Sequence, residues 1–109
     1  MEDWERQYKE YDRYIGILEI RRNYAGKELV KALDAAEKCN LYAAMRHLEN
    51  IQDEVKLLPI PPTRSEVSDP APFNAAHWQA KKDILNTYQE GKLKIVKTLN
   101  ERCGCKLME

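Results

Sequence analysis

The side chains best suited to chemistry are three cysteines, two histidines and one close group of carboxylates. Cys103 and Cys105 flank Gly104, while Cys39, His47 and His77 lie far upstream. A structural zinc site draws on two pairs of Cys or His, each pair about two to four residues apart. A single close pair near the end of the chain does not supply that set, so neither a metal nor a cofactor is expected. Glu49, Asp53 and Glu54 are close together on one helical segment, the arrangement a helical metal-dependent hydrolase would use. Such a site needs a second acidic cluster facing the first, and the remaining carboxylates are scattered. The three are read as solvated groups, and His47, at the edge of an apolar face, as a partly buried structural histidine. The chain has no Gly-rich phosphate loop, no nucleophile elbow and no helical H-E-x-x-H. The reading is therefore non-enzymatic.

Recognition is better supplied. In Y-I-G-I-L-E-I, residues 14–20, apolar side chains fall on two sides of one helix. Trp4, Tyr8, Tyr11, Ile15 and Leu18 already provide a core face, which leaves Ile17, Ile20 and Tyr24 on the opposite side. A helix that is apolar on two faces must be covered on both. So short a chain has few helices with which to do it, and a partner is the other source of cover. The candidate partner-binding residues are Tyr14, Ile17, Ile20 and Tyr24, with Arg13 and Arg21 at the rim. A second class of partner, nucleic acid, would have to use the basic C-terminal helix through Lys92, Lys94, Lys97 and Arg102. L-P-I-P-P-T-R, residues 58–64, has the proline spacing and trailing cation of a polyproline II ligand, though a stiff linker explains the same residues.

The elements that must position these groups follow from the spacing. Trp4, Tyr8, Tyr11, Ile15, Leu18, Arg22, Ala25 and Leu29 recur in steps of four and three, which predicts a long first helix with one inner stripe. Asn23 and Gly26 are its weak points and could divide it. Leu29, Leu33 and Ala36 continue the pattern to Lys38, and Leu41, Ala44, Met45, Leu48, Ile51 and Val55 resume it. Asn40 between them tolerates the left-handed conformation and can also cap the next helix, so a tight helical hairpin is expected there. Over about thirty residues this pattern resembles the helical hairpins of ankyrin-type and tetratricopeptide-type repeats. No second copy follows at either period, so the resemblance implies a shared hairpin and no membership.

All five prolines lie in residues 57–73, which separates the hairpin from a last helix expected to begin with Asn74 as its cap. Trp78, Leu85, Tyr88, Ile95, Val96 and Leu99 form its expected buried stripe, with Lys81 and Lys92 inside the same arc, and Gly104 ends it. The expected fold is an all-α bundle of three or four helices, about 3–23, 25–39, 41–57 and 75–102. It has a Pro-rich crossover at 57–73 and a flexible tail at 103–109, and residues 1–109 form one domain.

Composition narrows the function classes. Of the 109 residues, 43% are hydrophobic and 33% charged, an ordinary balance for a helical globular domain. Eighteen basic residues offset eighteen acidic ones, so no global field draws in nucleic acid or an anionic membrane. No window approaches the roughly 18 apolar residues of a membrane span. The charged start is not a signal peptide, and the odd cysteine count is read as reduced thiols in a cytoplasmic protein. The expected function is an adaptor or inhibitor that occupies another protein's surface and self-associates, as a homodimer in the simplest case. The alternative is a nucleic-acid-associated accessory factor.

Overall fold

The computed structural model describes residues 3–107 and folds them into three helices, α1 (Asp3–Glu37), α2 (Leu41–Lys56) and α3 (Ala71–Cys103). No strand occurs among the described residues. The first helix is unbroken. Asn23 and Gly26 both lie within it, and Gly26 is exposed with no atom near the position of a Cβ. Their weak helix propensity, up to about 1 kcal/mol for Gly, is overridden by packing of the turns on either side.

The hairpin between α1 and α2 forms at the expected place with a shifted division of labour. Cys39, not Asn40, adopts the left-handed conformation, with φ 57°. The amide of Asn40 donates to Ala35 O at 2.9 Å and that of Cys39 to Ala36 O at 3.0 Å, the paired bonds of a Schellman ending. Asn40 itself, at φ −94°, accepts from the Ala43 amide at 3.1 Å and so caps α2.

At about 1.5 Å per residue, α2 is about 24 Å long and reaches back along less than half of α1. The Pro-rich crossover covers the remainder. Tyr14 donates its hydroxyl to Pro59 O at 2.9 Å, which commits that proton, so His77 Nδ1, 3.2 Å away, donates to the phenol oxygen. Further along, the Gln7 side chain holds both backbone groups of Asp69, accepting from its amide at 2.9 Å and donating to its carbonyl at 3.2 Å. Leu58 is buried and the Pro59 carbonyl is engaged, so the start of the proline segment is moored to the bundle.

From there α3 runs parallel to α1. Tyr11 and Phe73 meet edge to face at 5.4 Å, Arg22 Nε donates to Asp83 at 3.0 Å, and Cys39 and Cys103 are joined by a disulfide. The offset between partners stays nearly constant, 61 residues at Arg22–Asp83 and 64 at the disulfide. The result is a rod of 62 × 19 × 14 Å. Its third helix starts at Ala71, earlier than expected, because prolines are tolerated in a first turn where amides lack helical partners anyway. Asn74 lies inside it, donating its amide to Pro70 O, and the Asp69 side chain accepts from the Ala71 amide at 3.1 Å at that end.

The core row of α1 is Tyr14, Leu18, Ala25, Ala32 and Ala36, and that of α3 is Phe73, Ala80, Ile84, Gly91, Ile95 and Leu99. This corrects the expected stripes at their large aromatics. Trp4, Tyr8 and Trp78 are exposed, at 70%, 67% and 66%. Small residues take the inner positions because they let the helices approach. A Cβ on Gly91 would come within 2.6 Å of Leu29 Cδ1. Within the expected stripes, Arg22 finds Asp83 and Glu19, Lys81 lies 5.1 Å from the Trp78 ring, and Lys92 is exposed.

The cysteines also depart from expectation. Reduced thiols were read from their odd number, whereas two of the three are joined and Cys105 alone is free. Of the expected tail at 103–109, residues 104–107 turn back toward α3, and residues 108–109 lie outside the described residues. Gly104, at φ 69°, turns the chain, and the Asn100 side chain accepts from the Leu107 amide at 2.8 Å and donates to its carbonyl at 2.9 Å.

Candidate partner-binding surface

The side of α1 away from α3 is built by what the core row leaves over. With Tyr14 and Leu18 turned inward, Ile17 and Ile20 fall roughly 100–160° from the core direction at about 100° per residue. Tyr24 follows one turn later. All three are exposed, at 39%, 49% and 47%. Tyr14 is corrected: it is 7% exposed, its ring against Phe73 at 5.6 Å and its hydroxyl bonded to the crossover. It belongs to the core. Burial also raises its pKa above the ordinary tyrosine value of 10.0.

Ile60 joins the surface from the crossover. It is 88% exposed and shares a shallow groove of about 170 Å³ with Glu10, Arg13, Ile17 and Pro62. Helical periodicity does not reveal it, because it sits outside any helical period. Its signal in the sequence is the flanking pair Pro59 and Pro61, which takes it out of any helix.

The cations at the rim differ in kind. Arg13 is exposed and only loosely paired, 3.9 Å from Glu10. Arg21 is anchored. It donates to Glu54 at 3.2 Å, and its guanidinium carbon lies 5.4 Å from the centre of the Tyr24 ring. Lys27 Nζ lies at the same distance from that ring. Two cations against one ring hold its orientation, each such contact contributing about 0.5–1 kcal/mol at an exposed site.

Behind this surface, Glu28 ties α1 to α2. His47 Nδ1 donates to its carboxylate at 2.6 Å and Asn50 Nδ2 at 3.2 Å. Burial alone would raise the Glu28 pKa. The hydrogen bonds from His47 and Asn50, with the charges of His47 and Lys31, outweigh it and hold the group below its ordinary 4.5. His47 is thus a structural ligand of a carboxylate. Glu54 is occupied by Arg21, and Asp53 lies 3.7 Å from Lys56.

The alternative nucleic-acid residues Lys92, Lys94, Lys97 and Arg102 are all exposed but are not gathered. Lys92 and Lys94, two residues apart, point about 160° away from each other. Lys94 and Lys97 share their side of α3 with the exposed Glu90 and Glu101. A second apolar groove, of about 820 Å³, lies at the open end of the rod between Trp4, Tyr8, Tyr11 and Pro72. No described helix is long and apolar enough to cross a membrane. No protein-family model, no curated protein and no solved structure matches this chain.

Proposed function

We propose that the protein is a non-enzymatic interaction module, an adaptor or inhibitor that acts by laying the outer face of α1 on another protein. The observation that carries this reading is the cluster of Ile17, Ile20, Tyr24 and Ile60, exposed together beside the core. Apolar and aromatic side chains grouped in this way, with charges at the rim, are the anchors from which interfaces are made. The nucleic-acid alternative lacks such support, because its four cations are spread around α3 and Lys94 and Lys97 share their side with Glu90 and Glu101. The expected cytoplasmic location drew on reduced thiols, and the Cys39–Cys103 bond removes that part of its support.

The test is the double substitution Ile17→Asp and Ile20→Asp in the full chain. Helix content by circular dichroism should stay unchanged, since neither side chain is in the core. Affinity capture from the source cell's lysate should lose its specific partner. Capture of the same proteins by both chains would refute the reading. Light scattering on the free chain separates pairing of two copies from binding of a different protein.

A further inference from the structure

The apolar centre of α1 sits in a longer row. Stepping by three and four from Arg6, the exposed outer face reads Arg6, Lys9, Arg13, Ile17, Ile20, Tyr24, Lys27, Lys31. At about 1.5 Å per residue this row is about 38 Å long. Cations fill both ends, apolar side chains fill the middle, and no carboxylate falls within it. Acids lie at its margin: Glu10 and Glu28 on α1, and Glu66 of the crossover, which lines the groove with Arg13, Ile17 and Ile60. Glu10 is 3.9 Å from Arg13, and Glu28, though 3.7 Å from Lys31, is committed to His47 and Asn50 of α2. In a chain whose formal charges cancel, five of the eighteen basic residues line this one helix face with no acid in the row.

We infer that the occupant of this face is an acidic amphipathic helix of another protein, with aliphatic residues at its centre and Asp or Glu on both sides. This rests on the proposed function and narrows it. Charge complementarity selects the partner. Two copies of the row cannot pair with each other: run antiparallel about Ile20, they set Arg13 and Lys9 against Lys27 and Lys31, and run parallel they set each cation against itself. Like charges across an interface oppose association. A phosphate backbone would meet the cations but leave Ile17 and Ile20 wet. An anionic bilayer would want apolar side chains along the whole row, and here only the middle has them. An acidic helix satisfies both parts, with its carboxylates spaced to meet Arg13 and Lys27, about 21 Å apart along α1.

The test is selection of a helical-peptide display library on the immobilised full chain. Enriched peptides should carry two or three aliphatic residues on one face, flanked on both sides by Asp or Glu. Their affinity should fall at least about tenfold with Arg13→Glu combined with Lys27→Glu, and should weaken with added salt. Lys94→Glu with Lys97→Glu, off this face, should leave binding unchanged. Enrichment of neutral or basic peptides, or no enrichment, overturns the inference. So does binding of phosphatidylserine vesicles or random-sequence duplex DNA that is lost in the Arg13→Glu, Lys27→Glu chain. Peptides that lose affinity with Ile17→Asp and Ile20→Asp but ignore the charge reversals would sink the acidic partner and leave the surface standing. Peptides indifferent to both pairs of substitutions would remove the surface as well.

Discussion

Consider the loss of the Cys39–Cys103 bond. It joins the turn after α1 to the end of α3 and closes a loop between residues 64 apart. In the chain-entropy treatment a loop of about 65 residues loses about 14 cal/mol/K in the unfolded state, or about 4 kcal/mol at 25 °C. Domains of this size are stable by about 5–15 kcal/mol, so the bond carries a substantial share. The side chains around it also hold without it. The Schellman ending and the Asn40 cap are made by backbone and amide groups. Reduction should therefore weaken the fold rather than abolish it. Urea denaturation with and without a phosphine reductant measures this, and a loss of about 4 kcal/mol moves the midpoint down by about 2 M at an ordinary slope. Cys39→Ser with Cys103→Ser should reproduce the shift without reductant, and Cys105→Ser should not. Thiol titration of the unfolded, unreduced chain should find one free group, Cys105. Three free thiols, or a midpoint indifferent to reduction, would refute the reasoning.

Other outcomes are equally specific. Tyr14→Phe removes the hydroxyl that bonds Pro59 O and His77, and should cost about 1 kcal/mol in urea denaturation. No loss would mean that the crossover is held without it. Gly26→Ala adds a methyl into open space on a helix and should stabilise by about 0.5–1 kcal/mol, whereas Gly91→Leu forces bulk against Leu29 and should cost at least about 1–3 kcal/mol. Equal effects would contradict the packing described at Gly91. Glu28 has a lowered pKa in the folded chain, so its contribution is complete above 4.5 and is lost as pH falls through the lower folded value. Denaturation midpoints measured from pH 6 to pH 3 should fall more steeply for the native chain than for Glu28→Gln, and parallel curves would remove Glu28 as the source.

The fold class, the turn near Asn40 and the crossover were legible because each rests on local chemistry: periodicity, a residue that caps, prolines that cannot continue a helix. The inner faces were read less well. Large aromatics weigh heavily in a periodic pattern, and Trp4, Tyr8 and Trp78 drew the expected stripes toward themselves. The seam is lined by Ala25, Ala32, Ala36, Ala80 and Gly91, whose value lies in distance between helices rather than in bulk. Tyr14 was assigned outward for the same reason, and the direction of its hydroxyl depends on a crossover residue 45 positions away. The disulfide was beyond local reasoning, since it requires the parallel register of α1 and α3. Ile17, Ile20 and Tyr24 lie exposed on the helix side the spacing put them on, because that spacing alone fixes their direction.

The unequal lengths of α1 and α2 give the rod two different ends. One has three helices, a covalent link and a left-handed turn. The other has two helices, a proline segment and the Gln7 grip on Asp69, with Trp4 and Tyr8 in solvent. Backbone amides of α1 should therefore exchange with deuterium in a gradient, fastest before Tyr11 and slowest after Ala25. Thermal opening would then travel in one direction along the helix, and the Ile17–Tyr24 segment sits where loose turns give way to firm ones.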